Sequence, residues 1–262
     1  VSVDEVNIRQ TEDTLGVFPI VALSLADREL LYGGPEARRE EIDTLVCQVD
    51  SAYYKVLRDY EEAMKARNAL LQAEQRPTAE QFDAFEAIME NCARRIIKSR
   101  ARAIELIRPA FAAAFAAFAP EGEAPDIIYC PNAPHEELQA LWKSLREGKD
   151  AALGHTSRGP HRDNYAITLN GNLAELYASE GQKFSLVLAL KLSGLNFLHE
   201  KLGIAPILVA DDLLLELDAM RQERFWKSLG NLQVFASGTT PPRPSDDKPW
   251  NIWNAKQGTF AR

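Results

Sequence analysis

The sequence predicts an α/β fold, a mixed sheet with flanking helices into which a helical-hairpin lobe is inserted. Three stretches carry that expectation. Residues 206–210, Pro-Ile-Leu-Val-Ala, form a continuous apolar run of the kind found in a strand covered on both faces, and Asp211 and Asp212 stand at its C-terminal end. Residues 184–192, Phe-Ser-Leu-Val-Leu-Ala-Leu-Lys-Leu, are too apolar and too long for one strand and read as a buried helix whose N-terminus is the turn Ser179-Glu180-Gly181-Gln182-Lys183. Between residues 38 and about 75, Ile42, Leu45, Val46, Val49, Tyr53, Val56, Leu57, Tyr60 and Met64 recur at three- and four-residue steps. Pro77 ends that helical run, and Thr78 with Gln81 forms a capping-box pattern opening a second long helix that reaches Arg108. Two long helices joined there make an antiparallel hairpin.

A chain of 262 residues with 46% hydrophobic and 26% charged content buries a substantial core, as one large domain or two small ones. Its net charge of −8 argues against a globally basic nucleic-acid binder while leaving room for a local patch. Cys47, Cys92 and Cys130 are odd in number and far apart, with no CxxC, so the sequence suggests neither a disulfide framework nor a zinc site, and a reducing cytoplasm fits. No signal peptide and no apolar run of ~20 residues is present, so no membrane association is expected.

Taken in order, the chain begins with Val1 and its opening reads as the middle of something longer. Residues 17–25 are a buried-strand candidate. Gly33-Gly34-Pro35 is at least a turn into a helix. The second long helix carries Arg94, Arg95, Lys98, Arg100, Arg102 and Arg108, with Arg94, Lys98 and Arg102 on one face at i, i+4; this is either a solvated helix face or a contact to a DNA backbone. Residues 126–130 read as a strand, 135–146 as a helix, and 165–169 as an alternating strand entering the Asn170-Gly171 turn. Just before it, His161 and Arg162 either serve a site or satisfy a loop's polar groups. Residues 233–236 form a short strand running into Ser237-Gly238-Thr239-Thr240; 241–249 is a polar Pro-rich loop, and Trp250, Ile252 and Trp253 begin a last strand ending at Phe260.

The chemistry concentrates at two places. A helix N-terminus offers free N–H groups and the positive end of a dipole, and Gly181 would let the backbone approach an anion without a Cβ in the way, so the 179–183 turn suits a phosphate. At the C-terminal edge of an open α/β sheet, where ligands bind, two adjacent carboxylates can divide nucleotide hydrolysis: Asp211 holding Mg²⁺, Asp212 orienting or deprotonating a water.

The spacing of Tyr177-Ala178-Ser179-Glu180-Gly181-Gln182-Lys183 to Ile207-Leu208-Val209-Ala210-Asp211-Asp212 and Glu216-Leu217-Asp218 resembles the signature motif, Walker B and D-loop of an ABC-type ATPase head. The wording is similar to the RecF family of recombinational repair ATPases. Ser24-Leu25-Ala26-Asp27, then Gly33-Gly34-Pro35-Glu36-Ala37-Arg38-Arg39 and Ile42-Asp43, follow that family's order, with Leu25 where a proline is usual. The helical-arm phrase Tyr60, Met64, Arg67-Asn68-Ala69-Leu70-Leu71 and the phrase Thr156-Ser157-Arg158-Gly159-Pro160-His161-Arg162-Asp163 do so too.

The resemblance implies an ATPase remnant over 1–37, a helical arm over 38–120 and an ATPase lobe over 121–262. It implies ATP and Mg²⁺ as cofactors, an ATP-dependent homodimer, gapped or junction DNA and other recombination-mediator proteins as partners. Ser179, Gly181 and Gln182 would then act across the dimer and Asp211 and Asp212 within one subunit, with Lys183 and Asp218 also binding the nucleotide and Thr239 in place of the histidine that usually senses the γ-phosphate. Gly-x4-Gly-Lys-Ser/Thr occurs nowhere in these 262 residues, so the chain by itself is expected to hydrolyse ATP negligibly. An SMC-like chromosome-maintenance head and a non-enzymatic helical interaction protein are the alternatives.

Overall fold

The computed structural model describes residues 2–3, 6–7, 14–75, 77–117, 122–133, 136–212, 219–239, 250–256 and 259–261. In chain order the elements are β1 (Ser2–Val3), β2 (Val6–Asn7), β3 (Ile20–Leu23), α1 (Glu29–Tyr32), α2 (Pro35–Val49), α3 (Ser51–Leu71), α4 (Ala79–Ala116), β4 (Pro125–Cys130), α5 (Leu138–Leu145), α6 (Lys149–Leu153), β5 (Asn164–Leu169), β6 (Asn172–Leu173), α7 (Ala174–Tyr177), α8 (Glu180–Leu202), β7 (Ile207–Ala210), α9 (Ala219–Ser228), β8 (Gln233–Ala236), β9 (Asn254–Lys256) and β10 (Thr259–Ala261). Short 3-10 turns at Leu25–Arg28 and Pro160–Arg162 complete the described chain.

Two small sheets frame a helical core. β3, β7 and β8 lie parallel in the order β3-β7-β8, with Leu23, Ala210 and Ala236 in register at the C-terminal edge. β4, β5 and β6 are antiparallel, the β5–β6 link being the expected Asn170-Gly171 turn, both residues at positive φ. Against β3 and packed on α2 and α4 runs α8, buried from Phe184 to Leu195 at every position, as an all-round apolar helix must be. Its one buried cation, Lys191, is neutralised by Glu41 at 2.5 Å and Asp27 at 2.8 Å, which ties α8 to α2 and to the turn after β3.

The antiparallel hairpin is α3 with α4, and the Thr78–Gln81 capping box opens α4 as expected, Gln81 Oε1 accepting from the Thr78 N–H at 2.9 Å. Four expectations are corrected. The helix read from 38 to 75 is two helices, because Asp50 is extended (φ −134°, ψ 91°) and splits the run while the apolar face continues beyond it. The second helix passes Arg108 and Pro109 to Ala116, held by Phe111 and Phe115, whose burial compensates the hydrogen bond a helical proline forgoes. β7 is covered on one face only: Leu208 and Ala210 are buried, whereas Val209 is 38% exposed and its register neighbour Phe235 is 55% exposed. The last strand is instead the hairpin β9–β10, with Trp250, Ile252 and Trp253 outside it and Trp250 stacked edge-on against Trp226. The buried strand read over 17–25 narrows to β3, and the helix read over 135–146 to α5. The loop read over 241–249 lies outside the described residues.

Candidate functional site

At the C-terminal edge of the parallel sheet the chain turns three times, after Leu23, Ala210 and Ala236. Sheet hydrogen bonds continue one step past the strands: the Asp211 N–H donates to Leu23 O at 2.8 Å and the Ser237 N–H to Ala210 O at 2.9 Å. This fixes the backbone of Asp211 while leaving its side chain exposed, where it accepts a hydrogen bond from the Ser237 hydroxyl. Asp212 is exposed too, with a left-handed backbone at φ 51°, a conformation that a short polar residue tolerates but that departs from the preceding strand. The chain thus leaves β7 abruptly, and two adjacent carboxylates stand at the crevice where an open parallel sheet receives ligands. Among the described residues no group of three or more His, Cys, Asp or Glu could hold a metal by itself. Two carboxylates fit Mg²⁺, which takes one or two protein oxygens and completes its shell with water and phosphate.

Thr239 is exposed three residues beyond β8, and Ser237 is the hydroxyl that actually touches Asp211. Ser237 opened the very stretch singled out in the sequence, but a serine at a strand end gives no sign of its partner. Asp218 lies outside the described residues, with Glu216 and Leu217.

The second element is the mouth of α8. Ser179 is its N-cap in a full capping box: Ser179 Oγ accepts from the Gln182 N–H at 3.4 Å, and Gln182 Oε1 accepts from the Ser179 N–H at 2.7 Å. The Gln182 amide then donates to Glu123 Oε1 at 2.6 Å. Lys183 lies over the Tyr32 ring at 4.7 Å and reaches Glu180 at 3.5 Å, while the Tyr32 hydroxyl donates to Glu180, holding its carboxyl below the usual range. Immediately before the cap, Leu176 and Tyr177 are 66% and 74% exposed. At Gly181 the side its missing Cβ leaves open faces the Arg221 guanidinium of α9. Among the described residues no hydrogen bond joins the Ser179 turn to Asp211 or Asp212.

The phrase 156–163 belongs to a third place, a buried polar hub under the helical arm. Arg67 is fully buried and donates to Glu86 at 2.9 Å, Asp150 at 2.8 Å, Thr156 Oγ1 at 2.9 Å and Trp142 O at 3.2 Å, joining α3, α4, α5 and α6. Arg100 does the same for Asp43 and Asp163, and its Nη1 also donates to Pro160 O at 2.7 Å. His161 Nε2 donates to Thr156 O at 3.0 Å, so its Nδ1 accepts from the Tyr60 hydroxyl at 2.8 Å and the ring is neutral; burial pushes its pKa down to about 4. Gly159 admits this arrangement, since at φ 134° a Cβ there would stand 2.6 Å from the Tyr60 oxygen. Arg38 and Arg39 are held by Leu30 O, Asn164 and Asp163 O. These residues brace the fold; Arg162 is exposed and outside the network.

The basic residues of α4 divide the same way. Arg100 is buried in the hub, Arg95 pairs with Asp50 at 2.9 Å, and Arg108 with Asp126. Arg94, Lys98 and Arg102 remain exposed, and among the described residues Arg94 and Arg102 pair with helix neighbours Glu90 and Glu105.

No protein-family model matches the chain. A curated relative from Synechococcus sp. (strain JA-2-3B'a(2-13)), described as DNA replication and repair protein RecF, is 33% identical over 261 residues, which is 95% of this chain and 68% of the relative. Other curated relatives of the same description are matched over 61% to 63% of their own length, so the chain spans about six tenths of them. A solved structure described as the recombination mediator protein RecF-ATP in the RecFOR pathway superposes with a TM-score of 0.83 at 30% identity, covering 94% of this chain and 68% of that one. A second, described as RecF-ATPrS, gives 0.86 at 27% identity, covering 99% and 71%. The α/β fold is therefore shared with RecF structures, and the relatives carry the RecF description and not the SMC-like one.

Proposed function

The chain belongs to the RecF family, and on that premise we propose that it forms the signature-bearing part of an ATP-dependent DNA repair ATPase acting in the cytoplasm. Asp211 takes part in holding Mg²⁺, and Asp212 is the base that orients the attacking water. Bound ATP supplies the phosphoryl group, its Mg²⁺ neutralising charge on the phosphates. Ser179, Gly181, Gln182 and Lys183 receive a nucleotide delivered by a second subunit, so ATP closes a homodimer. Asp218 and Thr239 complete the nucleotide contacts. Gapped and junction DNA and other recombination-mediator proteins are the partners, with the exposed Arg94, Lys98 and Arg102 face, flanked by Arg95, on the phosphate backbone. The division is an ATPase part over 1–37, an arm over 38–120 and a second ATPase part over 121–262.

The observation that supports this reading is that the Ser179 cap and the acidic pair both stand exposed, and among the described residues no hydrogen bond joins them. Replacing Ser179 with Arg in the full-length protein places a long cation where a partner's nucleotide docks. The expected result is loss of ATP-dependent dimerisation in light scattering with ATP binding by the monomer retained. A Ser179→Arg protein that still dimerises on adding ATP rejects the trans-acting role.

A further inference from the structure

The side-chain amide of Gln182 is held at both ends. Its Oε1 accepts from the Ser179 N–H at 2.7 Å, and its Nε2 donates to Glu123 Oε1 at 2.6 Å. A carboxylate only accepts, so Glu123 draws the NH₂ end of the amide toward itself and turns the carbonyl end onto the Ser179 N–H. The Ser179 hydroxyl in turn accepts from the Gln182 N–H and, among the described residues, donates to none. The turn therefore presents an O–H that can meet an acceptor from outside, such as a phosphate oxygen.

Glu123 reaches this turn from outside the motif. It lies two residues before β4, and its neighbour Ala124 is pinned to the turn between β5 and β6: the Ala124 N–H donates to Asn170 Oδ1 at 2.7 Å, and the Asn170 N–H to Ala124 O at 2.8 Å. The antiparallel sheet thus delivers one carboxylate to the mouth of α8. Glu123 Oε2 is buried without a hydrogen-bond partner among the described residues, so the Gln182 amide is the donor this carboxylate meets. Thr78 and Gln81 form the same capping box at α4, with Gln81 Oε1 on the Thr78 N–H, yet no described carboxylate meets the Gln81 amide. Capping as such does not require the second hold; it belongs to the signature turn.

We propose that Glu123 is a positioning residue for the signature turn. By fixing which way the Gln182 amide faces, it keeps the Ser179 hydroxyl available to a phosphate carried by the second subunit. A reversed amide would set Nε2 against the Ser179 N–H, two donors facing each other, and the box would open. The inference rests on the trans-acting reading of Ser179 and deepens it by naming a residue 59 positions before Gln182 on which the turn depends.

The test compares Glu123→Ala and Glu123→Gln in the full-length protein, each alone and combined with Gln182→Ala. Three quantities are read: ATP-dependent dimerisation by light scattering, ATP affinity of the monomer, and hydrogen exchange at the Ser179 N–H. Glu123→Ala is expected to weaken dimerisation about tenfold and to speed Ser179 exchange by a similar factor, with monomer ATP affinity within about twofold, the scale of one charge-assisted hydrogen bond. Glu123→Gln still offers an acceptor and should stay within about threefold of the parent. Once Gln182 is alanine, Glu123→Ala should add nothing. Parental dimerisation in Glu123→Ala, a Glu123→Gln protein equally weak, or a loss that persists in the Gln182→Ala background overturns the assignment. Ser179→Arg is the control. If it leaves dimerisation intact the trans reading falls, and exchange at the Ser179 N–H then decides by itself whether Glu123 holds the amide, unchanged exchange in Glu123→Ala overturning it.

Discussion

The hub under the helical arm and the sheet edge with its signature turn employ the same residue types to opposite ends. In the hub Arg67, Glu86 and Asp150 are fully buried, and each carboxylate meets a cation or an N–H from another segment. At the edge Asp211 and Asp212 are exposed, one meeting a single hydroxyl and the other displayed on a left-handed backbone. A motif-like phrase can therefore owe most of its residues to internal satisfaction, as 156–163 does apart from the exposed Arg162. Among the described residues the acidic pair has only the Ser237 hydroxyl on Asp211, and it is on that ground that the pair is proposed as the working part.

The largest effect expected from this contrast is in the hub. Arg67→Ala leaves the buried Asp150 without a cation, while Glu86 keeps Arg146, and removing one partner of a buried ion pair costs ~3–5 kcal/mol. Urea unfolding of the chain should show that loss. A change below ~1 kcal/mol, the scale of an exposed pair, would place Arg67 with the surface cations of α4 instead.

Next in size is the neutral His161. Its folded pKa of about 4 lies below the ordinary 6.5, so the unfolded chain binds the proton first as pH falls. The stability that depends on the neutral ring is complete above about pH 6.5 and declines as pH falls from there to about 4, by up to ~3 kcal/mol. The neighbouring Asp163, whose pKa burial raises, works in the opposite direction, so the comparison must be made against a variant. His161→Gln keeps a donor and an acceptor without the proton-binding site. Its unfolding free energy should fall less steeply with acid than the parent's; parallel curves would show that His161 does not titrate on unfolding.

At the edge, the expected change is in rate and not in stability. Asp212→Asn in the full-length protein should slow ATP hydrolysis by ~10²-fold, the scale of losing a general base, with ATP binding and dimerisation retained. Asp211→Asn should instead weaken Mg²⁺-ATP binding. Normal turnover in both removes the acidic pair from the chemistry and makes the two regions alike.

Legibility follows the same divide. The edge could be read because its residues are close in sequence: a run of apolar residues and then two aspartates announce a strand end without reference to anything distant. The α3–α4 hairpin was legible for a similar reason, since periodicity and the Thr78 cap are local. The Asp50 break was not, because the apolar face resumes on the next helix in phase. The hub was hidden altogether: Arg67 meets Glu86 across 19 residues and Asp150 across 83, and each alone resembles a surface residue of an amphipathic helix. Arg100, counted in the sequence among a basic stripe, is buried for the same reason.

The smallest effect separates two capping boxes that look alike. Thr78 opens α4 at the turn of the hairpin and Ser179 opens α8 at the candidate site, each paired with a glutamine three residues on. Either change to alanine removes an acceptor for a first-turn N–H, so both should cost ~0.5–2 kcal/mol in stability. If Ser179 also donates to a nucleotide from a second subunit, Ser179→Ala in the full-length protein should lower ATP-dependent dimerisation several-fold beyond what Thr78→Ala does at equal loss of stability. Matching the two variants by melting temperature and comparing their light scattering with ATP isolates that surplus. Equal dimerisation would reduce Ser179 to what Thr78 is, a residue that closes the end of a helix.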